Sequence, residues 1–109
     1  MDLAIESCKP CRTGEGRLSS AEAVVLLGEL HDWTLYPDHI HKQLRFKNFV
    51  AALAYVNAIG ALAEKAGHHP DITFGWGYVE LRLATHSAGG LTRNDFILAA
   101  KIDGLVASH

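Results

Sequence analysis

A long apolar stripe in the middle of the chain constrains the fold more than any other sequence feature. Its residues recur at three- and four-residue spacing: Phe46, Phe49, Val50, Leu53, Val56 and Leu62. This spacing predicts a helix with one face packed against a sheet. Gly67 is placed to cap that helix, and Pro70 cannot continue it. The helix therefore ends in the segment that also carries Glu64, His68 and His69.

The segment before this helix predicts one shorter helix and two short strands. A capping-box pattern begins at Ser19, and the apolar residues that follow predict a helix over about 20–30. Residues 33–36 and 40–46 suit two strands joined by a turn. Lys42 interrupts the apolar face of the second strand, which is typical of an edge strand whose long cationic side chain reaches water.

The segment after the long helix predicts a hairpin and a third helix. Residues 72–76 and 79–85 read as two strands that turn near Trp76, which lies between two glycines. The hydroxyl of Thr92 can cap a helix that follows it. The predicted order of elements is therefore α-β-β-α-β-β-α.

Composition indicates one domain and argues against two classes of partner. The chain has 109 residues, and its ten cations are dispersed among twelve acidic residues for a formal charge of -2, which does not suit a nucleic-acid surface. The amino terminus lacks the apolar stretch of a signal peptide, and we see no apolar run near the ~18 residues of a membrane span. We expect a cytoplasmic protein with an irregular leader at 1–18 and a folded domain at 19–109.

The two cysteines, Cys8 and Cys11, have the spacing of a CxxC motif within the leader. They could be reduced thiols on a flexible tail, a redox pair, or half of a zinc site that another subunit completes. A single CxxC does not distinguish these possibilities.

Three histidines and two carboxylates stand where the predicted elements end or begin: Glu64, His68, His69, His86 and Asp95. Because histidine exchanges protons near neutral pH, such a set suits acid/base chemistry on a small molecule. The adjacent histidines could also be an exposed loop or a metal pair, although neighbouring residues on a strand point to opposite faces and chelate poorly.

Three of the candidate residues have structural alternatives. Glu64 could form an ion pair on the helix surface with a neighbouring lysine. Asp95 is the third residue after Thr92, where a carboxylate completes a capping box. Trp33 could stack on a planar heterocycle or lie in the core.

Four segments taken together resemble a known family: FKNF at 46–49, EKAGHHP at 64–70, TH at 85–86 and GLTRND at 90–95. Their combination closely resembles the pterin-4a-carbinolamine dehydratase family, and the match runs from about Leu18 to Val106. The resemblance implies an α+β domain in which helices cover one face of a four-stranded antiparallel sheet. It also implies assembly into homodimers or homotetramers, with no metal and no organic cofactor.

The resemblance implies a reaction as well. 4a-Hydroxytetrahydrobiopterin would lose water to give quinonoid dihydropterin, which recycles the pterin cofactor of aromatic amino-acid hydroxylases. An alternative from the same family is a non-catalytic scaffold, because members have been recruited as dimerisation partners of a homeodomain transcription factor.

Residue roles follow from the resemblance position by position. His68 and His86 are implied as proton donors to the departing hydroxyl, and His69 as a pterin-binding residue that handles the N5 proton. Glu64 is implied to support substrate or His68. The other residues expected to bind substrate or to support the site are Asp95, Trp33, Pro70 and Thr85.

Overall fold

The described part of the chain, residues 3–9 and 16–105 of a computed structural model, contains three α-helices and four strands in the predicted order. The elements are α1 (Ser20–Leu27), β1 (Thr34–Leu35), β2 (Ile40–Arg45), α2 (Phe49–Ala66), β3 (Asp71–Gly75), β4 (Tyr78–Leu83) and α3 (Arg93–Asp103). Two 3-10 turns, Leu3–Ile5 and His86–Ala88, lie outside them.

The four strands form one antiparallel sheet in the order β1-β2-β4-β3. Side chains alternate along β4, so that Val79, Leu81 and Leu83 are fully buried beneath the helices. The predicted α+β fold with a four-stranded antiparallel sheet is therefore confirmed. The β3–β4 turn is tight, with Trp76 and Gly77 as its two central residues.

The prediction of an edge strand at Lys42 is wrong. β2 lies between β1 and β4, and the Lys42 side chain points into the core. Its Nζ donates hydrogen bonds to Asp103 Oδ1 (2.7 Å) and to the His31 carbonyl (2.9 Å). A buried cation is tolerated at this position because a carboxylate from the end of α3 neutralises it.

The long helix α2 has clear boundaries. The Asn48 side chain accepts a hydrogen bond from the Ala51 N–H (2.8 Å) at its start, and Gly67 ends it in the left-handed conformation (φ 69°). Phe46 precedes the helix and packs in the core against Tyr55, with ring centroids 5.2 Å apart.

Helix α2 also corrects the expectation that no apolar segment approaches the length of a membrane span. Its 18 residues have a mean hydropathy of 1.3, which satisfies that test by length and composition. Length and composition alone do not separate a membrane span from a core helix, and one face of α2 is buried in the fold through Ala52, Tyr55, Ile59 and Ala63. Two residues of the opposite face, Val50 and Leu53, are exposed.

The part of the leader that the structure describes, residues 3–9, packs on the domain; we call it the strap. Leu3 is buried in the hydrophobic core, and Lys101 of α3 donates a hydrogen bond to the Ala4 carbonyl (2.7 Å). The strap thus belongs to the packed structure, whereas Cys11 lies outside the described residues.

Candidate active site

The centre of the candidate site is the carboxylate of Asp95, which is fully buried in the first turn of α3. Its Oδ2 accepts hydrogen bonds from the Thr92 N–H (3.0 Å) and from the Thr85 hydroxyl (2.9 Å). Its Oδ1 lies 2.5 Å from Nε2 of His68. Asp95 therefore caps the helix, as the sequence alternative predicted, and also binds a candidate catalytic histidine.

This arrangement assigns the proton on the His68 ring. Both carboxylate oxygens of Asp95 act as acceptors, so Nε2 of His68 carries the hydrogen and donates it to Oδ1. The remaining ring nitrogen, Nδ1, is the one that can exchange a proton with a bound molecule. A carboxylate that holds the second nitrogen of a histidine fixes both its tautomer and its orientation.

Thr85 is held against Asp95 by the chain around it. It follows β4 and forms an isolated bridge with Gly90, in which the Thr85 N–H donates to the Gly90 carbonyl (2.9 Å). Because the Thr85 hydroxyl donates to Asp95, the Thr92 hydroxyl, 2.9 Å away, donates to Thr85 Oγ1. The buried polar atoms of this cluster are therefore mutually satisfied.

A cavity of about 360 Å³ opens beside His68. Its lining residues are Cys8, Lys9, Ala66, Gly67, His68, Thr85, Ser87 and Asn94. They come from the strap, the end of α2 and the residues just after it, the segment that follows β4, and the start of α3. The volume is in the range of small-molecule sites.

His69 and Glu64 form a second, exposed pair near the same end of α2. Nε2 of His69 lies 2.5 Å from Oε2 of Glu64, and their side chains are 59% and 79% exposed. Glu64 was expected to support substrate or His68; within the chain it contacts His69. Exposed pairs of this kind add little stability, so the geometry leaves Nδ1 of His69 accessible without anchoring the ring firmly.

The other predicted site residues lie at different depths. His86 is exposed and stands between Thr85 and Ser87, both of which line the cavity, whereas its own ring is not part of that lining. Pro70 is partly buried directly before β3. Of the three candidate histidines, His68 lines this cavity, whereas His69 and His86 are not in its lining.

Trp33 is placed away from this cavity. Its side chain is buried, and Nε1 donates a hydrogen bond to Asp103 Oδ1 (2.8 Å), in the same cluster as Lys42. Among the residues the structure describes, those lining the His68 cavity do not include Trp33. The core alternative given for this residue describes its position.

Sequence reasoning missed most of the residues that line the cavity, among them the contacting pair Asn94 and Lys9. Asn94 lies inside the GLTRND segment that was recognised as a block, but its partner is far away in sequence. Lys9 donates its backbone N–H to Asn94 Oδ1 (2.9 Å), across 85 residues. A local sequence pattern cannot predict a contact between residues so far apart in the chain.

Metal binding has no positive support in the described ranges. Within residues 3–9 and 16–105, no three His, Cys, Asp or Glu side chains are grouped so that they could hold a metal ion. The Cys8 thiol contacts the Asn94 carbonyl at 3.7 Å. Because Cys11 lies outside these ranges, the alternatives given for the CxxC motif, namely reduced thiols, a redox pair or half of a zinc site, stay open.

Comparison with known proteins decides the family. The family model described as pterin 4 alpha carbinolamine dehydratase matches residues 16–105. The chain belongs to this family. A relative from Alkaliphilus metalliredigens named "Putative pterin-4-alpha-carbinolamine dehydratase" is 46% identical over 104 residues, which are 94% of each chain. A relative of the same name from Halorhodospira halophila is 42% identical over 98% of this chain and all of its own.

Solved structures of pterin dehydratase relatives share the fold. A transcriptional coactivator/pterin dehydratase from Brucella melitensis matches with a TM-score of 0.76 and 31% identity, over 81% of this chain and 96% of that one. A pterin dehydratase-like protein identified as a RuBisCO assembly factor in the alpha-carboxysome matches with a TM-score of 0.58 and 30% identity, over 74% and 96%. The resemblance stated from the sequence motifs is confirmed.

Proposed function

We propose that this chain dehydrates 4a-hydroxytetrahydropterin to quinonoid dihydropterin and water. The observation that carries the proposal is the buried Asp95 carboxylate bound to His68 at the edge of a cavity of about 360 Å³. Family membership and the names of the relatives support the same activity.

The reaction needs one proton donor and one proton acceptor. The bond between C4a and the hydroxyl oxygen breaks, and the oxygen leaves as water once it has gained a proton. N5 loses its proton, and its electron pair forms the new double bond to C4a. Protonating the leaving oxygen and deprotonating N5 with positioned side chains typically contributes about 10²- to 10⁴-fold in rate.

We assign the proton transfers to the three histidines. His68, through Nδ1, and His86 are the donors to the departing hydroxyl, and His69 binds the pterin and takes the N5 proton. Asp95 holds His68 in the tautomer that leaves Nδ1 available, while the exposed Glu64 favours the same tautomer of His69 without fixing its ring. Thr85 and Pro70 support the edges of the site, whereas the buried position of Trp33 argues against direct stacking on the substrate.

The test follows the decay of chemically generated 4a-hydroxytetrahydropterin by ultraviolet absorbance. The intact chain is expected to accelerate it, and His68→Ala and His86→Ala each to lower kcat by at least tenfold. His31→Ala is the matched control, because its side chain is exposed and lies outside the cavity lining. Unchanged rates in both the His68 and His86 variants would remove the histidine assignment, and no acceleration by the intact chain would remove the activity.

We also infer self-association through α2. Val50 is 73% exposed and Leu53 37% exposed on the face of α2 that points away from the core, and an apolar helix face of this kind is commonly covered by a partner. Val50→Glu is expected to lower the mass measured by analytical ultracentrifugation, whereas Val24→Glu, an exposed change on α1, leaves it unaltered. A monomeric intact chain would contradict this inference.

Two further assignments complete the proposal. The enzyme acts in the cytoplasm, and it consumes the carbinolamine that an aromatic amino-acid hydroxylase releases. A second candidate function is favoured by one observation: the structural relative described as a RuBisCO assembly factor shares this fold. A chain that acts only as a binding scaffold would retain a partner complex and show no turnover, which the absorbance assay distinguishes.

A further inference from the structure

The strap, residues 3–9, contributes directly to the cavity beside His68. Cys8 and Lys9 are two of the residues that line it. The family model begins at residue 16, so this wall lies outside the segment that the model matches.

Asn94 clasps the backbone of the strap. Its Oδ1 accepts the Lys9 N–H (2.9 Å), and its Nδ2 donates to the Lys9 carbonyl (2.5 Å). A side-chain amide that binds both groups of one residue fixes the position of that residue, as a strand partner would. The Asn94 side chain is itself buried, so water does not compete easily for these bonds.

A second tie lies three residues earlier in the strap. Arg93 donates from Nε to Glu6 Oε1 (2.8 Å) and from Nη2 to Glu6 Oε2 (2.6 Å), which is a two-pronged ion pair. The hydrogen bonds from Arg93 lower the pKa of Glu6, and those same bonds raise the pKa of Arg93. The pair is partly exposed, and it therefore supports the Asn94 clasp without replacing it.

The first turn of α3 therefore does two things with consecutive residues. Arg93 and Asn94 hold the strap, and Asp95 holds His68. Both sides of the cavity are fixed by one rigid helical turn, so a displaced strap alters the shape of the cavity while the Asp95–His68 pair stays in place.

We propose that the strap is a wall of the substrate site that sets how tightly the pterin is bound, and that Asn94 is the residue that positions it. This inference rests on the proposed dehydratase function. Because Asn94 and Arg93 hold the strap while Asp95 holds His68, we expect loss of the strap to raise KM and to leave kcat nearly unchanged.

The first experiment removes the clasp from the backbone side. Lys9→Pro deletes the N–H that Asn94 accepts, while Lys9→Ala keeps that N–H and removes only the side chain. Loss of hydrogen bonds of this kind is expected to raise KM, and the Kd for 7,8-dihydrobiopterin, roughly fivefold to tenfold in Lys9→Pro and clearly less in Lys9→Ala. Asn94→Ala is expected to match Lys9→Pro, with kcat within about twofold of the parent in both. Thermal unfolding checks that each variant is folded.

The second experiment uses the Cys8 thiol as a reporter in the otherwise intact chain. In a Cys11→Ser background Cys8 is the single cysteine, since the chain has two. Saturating 7,8-dihydrobiopterin is expected to slow its alkylation by iodoacetamide at least fivefold. The matched control carries Ser7→Cys with both natural cysteines replaced by serine; Ser7 is exposed on the strap but outside the lining, and its alkylation is expected to be unaffected.

The outcomes separate the two proposals. If the pterin binds but neither protects Cys8 nor binds more weakly to Lys9→Pro and Asn94→Ala, the strap inference is wrong and the dehydratase function stands. If the intact chain neither binds nor turns over the pterin, the proposed function fails and the strap inference falls with it.

Discussion

The substitution Asp95→Asn tests whether this buried carboxylate does more than cap a helix. An asparagine has the same shape but only one acceptor oxygen. If that oxygen keeps the hydrogen bonds from Thr92 and Thr85, the amide nitrogen is directed at His68. An N–H cannot accept the Nε2 hydrogen of His68, so the ring must move its proton to Nδ1 or turn away.

The expected loss follows from the contacts that are removed. One hydrogen bond to a buried charged group contributes about 1.5–3 kcal/mol, which corresponds to a fall in kcat of about 10- to 150-fold. KM should change much less, because Asp95 is fully buried and does not line the cavity. The free energy of unfolding should fall by no more than about the same 1.5–3 kcal/mol, since the amide oxygen still accepts the Thr92 N–H.

The chain offers a matched control in α1. Glu22 is also the third residue of a capping box, in which the Ser19 N–H donates to Glu22 Oε1 (2.9 Å), but it is exposed and contacts no histidine among the described residues. Glu22→Gln should leave kcat unaltered. Stopped-flow absorbance gives kcat and KM, and the ¹⁵N shifts of the His68 ring report its tautomer. An Asp95→Asn variant with parental kcat and an unchanged His68 tautomer would show that Asp95 is only a cap.

Three further predictions concern stability and the end of α2. Lys42→Met leaves the Asp103 carboxylate buried without its cation and should lower the free energy of unfolding in urea by about 3–5 kcal/mol. The double variant Lys42→Met/Asp103→Leu should recover most of that loss. If the single and the double variant were equally stable, the prediction would be wrong. Burial, and secondarily Asp103, raises the pKa of Tyr55 to about 12 from 10.0. Because the folded chain keeps this proton to higher pH than the unfolded chain, stability should be unaffected below pH 10 and should fall by roughly 3 kcal/mol as pH rises from 10 to 12. Tyr55→Phe should flatten that slope in unfolding measured at each pH, and an unchanged slope would refute the assignment. An added methyl group would have room at Gly67, but the φ of this residue is 69°, so Gly67→Ala should lower the free energy of thermal unfolding by about 1–2 kcal/mol. Gly60→Ala, at an open site within α2, should not destabilise the protein.

Local patterns in the sequence predicted the elements well because each carries its own signal. The capping residues Ser19 and Thr92, the αL glycine Gly67 and the alternation along β4 are all read within a few residues, and the structure places the corresponding boundaries there. Lys42 misled the prediction because its partner, Asp103, is 61 residues away. A lysine on an apolar face is typical of an edge strand unless a buried carboxylate is known to meet it.

The sequence predicted which residues belong to the candidate site better than it predicted which residues they contact. The motifs selected His68 and Asp95, but nothing in their spacing showed that one carboxylate binds the histidine with one oxygen and caps α3 with the other. Likewise, the sequence left open whether Glu64 supports substrate, His68 or an ion pair with a lysine, and in the structure it contacts His69. The sequence did not predict that the strap packs on the domain, because its contact with Asn94 joins residues 85 positions apart and produces no local pattern.

The two buried carboxylates at the ends of α3 show why one is structural and the other suits catalysis. Asp103 lies at the carboxyl end, where the helix dipole disfavours negative charge, and it is held by the permanent cation of Lys42. Asp95 lies at the amino end, where the dipole and the Thr92 N–H already stabilise the charge, so it does not require a permanent cation. Its partner can therefore be a histidine, the side-chain type best suited to proton transfer. The position of each carboxylate on the helix thus decides whether its partner is free to take part in proton transfer.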